Sequence, residues 1–199
     1  DSDVSAFLII EPGQCGGSGT ARYENTTSAE ASRHNEATCK DARQDETDEA
    51  RRKKMLALRK AFQSEPHNRS NPHAPRAVPG VDPELGFLVD YTGCVIHPAA
   101  THKENPRFAY DMDHIFPWSR GGRSDSSNVA AIHLSANRTK GAKLAVKVSE
   151  LQKRAVTVDE LKKEIAEKRT DESGRPRTNQ QLLAAILGAE ESAAVSTAQ

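Results

Sequence analysis

The sequence predicts an α+β chain, with a small strand–loop–strand–helix core flanked by α-helices and long irregular segments. Three observations lead there. Short apolar runs of β type lie close together between residues 85 and 134. Helix patterns with capping residues follow from 149 to 188. The apolar supply is thin, with 36% hydrophobic and 5% aromatic residues against 28% charged, so one modest core with solvated surroundings is expected.

In chain order, the apolar run over 4–10 reads as a short strand. The Gly- and Pro-rich run over 12–19 reads as a loop, and not as a phosphate loop, because no Gly-Lys-Ser/Thr follows it. Met55, Leu56, Leu58, Ala61 and Phe62 form a stripe at helical spacing and predict a helix over about 42–63. Its Arg51-Arg52-Lys53-Lys54 cluster reads as a solvated face. Pro66, Pro72, Pro75, Pro79 and Pro83 make 65–83 a linker or an extended wrap. A hairpin is expected over 85–97, turning around 90–93. Strands are expected over 108–117 and 129–134, separated by a polar Gly-rich loop, with a helix beginning at Ser135. A short helix follows at 149–154. Thr157 with Glu160 is a capping box that opens a helix to about Arg169. Thr178 caps another, carrying Leu182, Leu183, Ile186 and Leu187 and ending at Gly188. The expected organisation is therefore 1–64 as a strand, loop and charged helix, 65–83 as linker, 84–147 as core, and 148–199 as helices and tail.

The formal net charge is zero, but its distribution is uneven. Residues 100–154 hold ten Lys or Arg against five Asp or Glu. Such a basic island is compatible with a phosphate-bearing partner. No run of eighteen apolar residues exists, so no membrane-spanning helix is expected. Cys15, Cys39 and Cys94 are too few and too scattered for a disulfide framework. A single Cys15–Cys39 bridge in an exported chain is one reading. Free thiols in a reducing compartment, hence a soluble intracellular protein, is the reading preferred.

The chemistry concentrates over 111–141. Asp113-His114-Ile115-Phe116-Pro117 is followed by Ser119-Arg120-Gly121-Gly122, then Asn128, then Asn137-Arg138-Thr139-Lys140-Gly141. Hydrolysing a phosphodiester needs a base to activate water and a cation to hold the phosphate. A neutral imidazole suits the first role near pH 7. Carboxylate and amide oxygens are hard ligands suited to Mg²⁺ or Mn²⁺. Asp113, His114 and Asn137 supply these groups, and a strand–loop–strand–helix unit could fold them onto one point.

These elements, in this order and at these separations, resemble the HNH nucleases, which have a ββα-metal core. The resemblance covers about 35 of the 199 residues. It implies a metal-dependent endonuclease acting on DNA, with RNA as the other substrate to consider. By the same resemblance His114 is the general base, Asp113 and Asn137 hold one divalent cation, and Asn128 holds the loop and orients His114. It also implies DNA-phosphate contacts from Arg138, Lys140 and Lys143, and the basic loop residues Arg120 and Arg123 are expected beside them. With Asn at position 137, where other members carry His, this is a His-Asn-Asn version of the motif. Asp111 falls on the same strand face as Asp113 and is expected to be peripheral.

Many members brace this fold with zinc on two Cys-x-x-Cys knuckles. Here the corresponding positions read Cys94-Val95-Ile96-His97 and His133 with Ala136. A degenerate zinc site from Cys94, His97 and His133, completed by His102, is one chemical option. The expectation is that zinc is not part of the protein, with Cys94 in a core and apolar packing bracing the island. A non-catalytic subunit that keeps the HNH fold for nucleic-acid binding or assembly is the alternative function.

Overall fold

The computed structural model describes residues 3–12, 19–39, 46–68, 71–143 and 145–188. It has mixed α+β architecture: small antiparallel sheets wrapped by helices. The central unit is β6 (Tyr110–His114), β7 (Val129–His133) and α3 (Leu134–Lys140). β6 and β7 pair antiparallel, with Tyr110 opposite His133 and His114 opposite Val129.

Period-2 alternation assigns the two faces of this hairpin to different neighbours. Tyr110, Met112, Val129 and Ala131 pack with Phe62 of α2 (Asp48–Ser64). Ile132 on the other face packs with Ala136 of α3, Val146, and Leu151 of α4 (Val148–Gln152). Covered on both faces, β7 is buried at every position, which explains its uninterrupted run Val-Ala-Ala-Ile.

The hairpin expected over 85–97 is present as β4 (Leu88–Val89) and β5 (Val95–Ile96). The Pro-rich segment that precedes it lies on the fold. Its Arg76–Ala77 pair forms β3 against β4, and Val78 is buried. Asn71 Nδ2 also donates to the carbonyl of Val129 at 2.7 Å. Leu161 and Ile165 of α5 (Val158–Glu167) and Leu182 and Ile186 of α6 (Asn179–Leu187) close a second cluster over Leu85, Phe87 and Phe108. α5 opens with the capping box read at Thr157, and at α6 the cap read at Thr178 is likewise a full box, completed by Gln181.

The N-terminal region holds two elements that the sequence reading did not contain. These are β2 (Gly19–Thr26), paired with β1 (Ser5–Pro12), and α1 (Ser28–Cys39). β2 is exposed from Arg22 to Asn25, and among the described side chains of α1 only Ala31 and Asn35 are buried, so neither carries an apolar stripe. α1 docks through Ala31, packed with Phe7 and Ile9, and through the side chain of Asn35. Asn35 accepts from the amide of Ile10 at 2.8 Å and donates to the carbonyl of Leu8 at 3.0 Å, satisfying the outer edge of β1. The helix expected over 42–63 is α2, and positions 42–45 lie outside the described residues, as does Cys15. Among the described residues, no helix is long and apolar enough to cross a membrane.

Candidate active site

β6 and α3 bring four side chains together by matching two repeat lengths. Asp111 and Asp113 are two apart on a strand, so they share a face. Asn137 and Lys140 are three apart on a helix, so they share a side. In register, Asn137 Nδ2 lies 3.4 Å from Asp111 Oδ2, and Lys140 Nζ lies 3.0 Å from Asp113 Oδ2. Arg59 of α2 stands 3.7 Å from the other oxygen of Asp111. Asn137 therefore meets the carboxylate that was expected to be peripheral.

Lys140 corrects a sequence expectation. It was read as a phosphate contact, but it is only 2% exposed. Its ammonium donates to the carbonyl of His114 at 2.9 Å and faces Asp113. Tyr91 donates a second hydrogen bond to Asp113 Oδ2 at 2.7 Å. Burial, then the nearby Asp113 charge, push this phenol well above its ordinary value, so it stays a donor. The physical reason for the enclosure is the short α3. Its last turn meets the end of β6, and Lys140 is on the side of that turn that faces the strand, while Arg138 of the same turn faces solvent.

His114 ends β6 and projects to the opposite face, toward α2. Its Nε2 sits 2.8 Å from Ser124 Oγ. The Ser124 hydroxyl donates to Glu46 Oε2, which also accepts from Trp118 Nε1 at 3.2 Å. Lys54 Nζ lies 2.7 Å from Glu46 Oε1, and the Arg51 guanidinium stacks over Trp118 at 4.0 Å. Burial pushes the Glu46 carboxyl up, but Lys54, Ser124 and Trp118 outweigh it and hold the group below its ordinary value. His114 is lowered, first by burial and further by Lys140 and Arg51, against opposite pulls from Asp113 and Glu46. Its imidazole is thus neutral near pH 7 and chemically able to take a proton. Neither Glu46 nor Ser124 was found by sequence reasoning. Glu46 is 78 positions from Ser124 and carries no motif.

Asn128 is fully buried and acts as one more rung of the β6–β7 ladder. Its backbone carbonyl accepts from the amide of Ile115 at 2.8 Å. Its side chain then pairs with Phe116 as a peptide would, accepting from the amide at 2.8 Å and donating to the carbonyl at 3.0 Å. A further donation reaches the carbonyl of Arg123 at 3.0 Å. The loop carrying Ser124 is thereby fastened beside His114. Gly122 belongs to the same device, because a Cβ there would lie 1.9 Å from the carbonyl oxygen of Phe116.

Three positions weighed for zinc, Cys94, His97 and His133, make hydrogen-bond contacts within the fold. Cys94 is buried, and its thiol donates to the carbonyl of Leu151 at 3.7 Å. The ring nitrogens of His97 contact Leu85 O and Ala99 N, and those of His133 contact Arg107 O and Ser135. Asp90 joins the segments of Cys94 and His133 through hydrogen bonds. One of its oxygens accepts from the amides of Thr92 and Cys94 and from the Thr92 hydroxyl, and the other accepts from the amide of His133 at 2.6 Å. One buried carboxylate so ties the β4–β5 turn to the end of β7.

Arg120, Arg123, Arg138 and Lys143 are exposed around this unit, with Arg123 2.9 Å from Asp125. No group of three or more His, Cys, Asp or Glu suited to a metal occurs among the described residues. The donor set at β6 and α3 is instead two carboxylates and an amide. That hard-oxygen composition fits Mg²⁺ or Mn²⁺, since Mg²⁺ is commonly bound by one or two carboxylates and keeps several waters.

Residues 103–143 match the family model described as HNH endonuclease, and this segment is an HNH domain. That family is of nuclease type, binds nucleic acid and generally uses a divalent metal. Comparison with curated proteins and with solved structures gives no match.

Proposed function

We propose that the protein is a metal-dependent endonuclease hydrolysing phosphodiester bonds in DNA, with His114 as general base and one Mg²⁺ or Mn²⁺ held by Asp113 and Asn137. The supporting observation is the end of β6. A neutral imidazole stands on one side of the strand, and the oxygen donors Asp111, Asp113 and Asn137 stand on the other. When bound, the cation supplies charge stabilisation at the scissile phosphate and the leaving oxygen.

The chain's own groups divide the remaining work. His114 takes a proton from the attacking water. Asn128 holds the following loop, so that the imidazole is fixed before substrate arrives. Lys140 offsets part of the Asp113 charge and pins the carbonyl of His114 from inside. Arg120, Arg123, Arg138 and Lys143 meet the phosphate backbone from the exposed rim. Asp111, adjacent to Asn137, joins the metal-binding set.

The enclosure of His114, only 9% exposed, favours a second reading as a non-catalytic HNH subunit that binds nucleic acid or assembles with other chains. One experiment separates the two. Purified protein is incubated with supercoiled plasmid, linear duplex and RNA in Mg²⁺ or Mn²⁺, alongside chelator controls and His114→Ala. The enzyme reading expects nicked or linear DNA, arrest by chelator, and loss of cleavage with DNA binding retained in the variant. Inactivity on every substrate and metal selects the non-catalytic reading. Normal cleavage by His114→Ala removes the base assignment.

A further inference from the structure

The HNH segment lies within 103–143, yet the group that finishes the pocket of its histidine comes from far outside it. Glu46 directly precedes Thr47, the residue that caps α2 by accepting from the amide of Ala50. Its carboxylate reaches Ser124, which is 3% exposed and lies 2.8 Å from His114 Nε2.

We propose that Ser124 and Glu46 are positioning residues that hold His114 in one tautomer, protonated on Nε2 and bare on Nδ1. The inference rests on His114 being the general base. A serine hydroxyl has one hydrogen, and an ionised carboxylate can only accept. Donation to a carboxylate is charge-assisted and stronger than donation to a neutral imidazole nitrogen. The Ser124 hydrogen therefore goes to Glu46. What Ser124 turns toward His114 is a lone pair, and Nε2 must carry the hydrogen that meets it.

Glu46 is held to this task on two further sides. Trp118 donates to the same oxygen that receives Ser124, and Lys54 stands against the other. Arg51, stacked on the indole, keeps Trp118 in place. When Nδ1 accepts a proton from water, Nε2 keeps its hydrogen, directed at Ser124 Oγ, and Ser124 keeps its own, directed at Glu46. No proton moves along the chain of contacts. The new positive charge on the ring faces the Glu46 carboxylate through a single hydroxyl, which favours the charged ring as it forms.

The test uses the full chain. Long-range ¹H–¹⁵N correlation at about pH 8 reports imidazole tautomers, with the His114 signals assigned by their absence in His114→Ala. The wild type is expected to show the Nε2–H form for His114, and Ser124→Ala a mixture or the Nδ1–H form. In plasmid cleavage, Ser124→Ala and Glu46→Gln are each expected to lower kcat by about 10-fold or more, with KM little changed. Unchanged melting temperatures establish that the variants fold; if Ser124→Ala does not, the near-isosteric Glu46→Gln carries the kinetic test. A wild-type tautomer and wild-type kcat in the variants overturn the proposal. A rise in kcat for Glu46→Gln overturns it too, since that is the signature of a cover over the base. If the wild type cleaves nothing, the nuclease reading fails, and the tautomer measurement still decides whether Ser124 orders the ring.

Discussion

Replacing Asn128 by alanine tests whether a side chain can serve as a rung of the sheet. The variant removes three hydrogen bonds from a residue that is 0% exposed. A buried hydrogen bond contributes about 1 kcal/mol net, so their loss costs about 3 kcal/mol. The orphaned amide of Phe116 adds about 1 kcal/mol or more, because water does not easily replace its partner in a closed loop. For a chain of this size each kcal/mol moves the melting temperature by about 2–4 °C, so a fall of about 8–16 °C is expected. Thermal unfolding followed by circular dichroism measures it, and hydrogen exchange locates it. The amide of Phe116 should lose protection beyond the loss that the β6–β7 ladder amides share through the global fall in stability. Asn128→Asp retains the acceptor but turns two donations into repulsions with carbonyl oxygens, and should destabilise at least as much. A melting temperature within about 2 °C of wild type in Asn128→Ala refutes the account, since fully buried, unreplaced hydrogen bonds cannot be lost so cheaply.

Two further outcomes follow from burial and charge. Lys140→Met should lower stability by about 3 kcal/mol, because it leaves Asp113 without its buried partner, yet the salt dependence of DNA binding should not change. Lys143→Ala should do the reverse, sparing the melting temperature and reducing the slope of log K against log salt by about 0.9; a reduced slope in Lys140→Met would return that residue to the phosphate face. Glu164 is held below its ordinary value, near 4.5, first by Arg107 and also by Lys168, against burial. Its stabilisation is therefore present above that ordinary value and is lost as pH falls through the lower folded value. Glu164→Gln should cost about 1 kcal/mol at neutral pH, with a difference from wild type that closes in acid. A difference constant from pH 7 to 3 would mean that the Arg107 and Lys168 contacts contribute nothing through charge.

Contiguous features were legible in the sequence. The order Asp113-His114, glycine loop, Asn128, Asn137 contains its own geometry, because a strand, a tight loop, a strand and a helix over so short a span have few ways to fold. The capping box at Thr157 and the cap at Thr178 were legible for the same reason, since each is complete within four residues. Elements whose contacts lie elsewhere in the chain were not. β2 and α1 show no apolar period because β2 is mostly exposed and α1 is held by Asn35 on the edge of β1.

Residue types and spacing by themselves determined the candidate chemistry: a base, hard oxygen donors and a basic surround within one segment. Only the tertiary structure decided which groups meet. It set Asn137 against Asp111, turned Lys140 from the surface to the inside of the strand end, tied Cys94 to His133 through Asp90, and carried Glu46 to Ser124 behind His114. The physical reason is that these outcomes depend on burial. Whether a lysine faces solvent or a carboxylate, and whether a histidine nitrogen finds a hydroxyl, is settled by what distant segments cover. Local spacing carries no record of that.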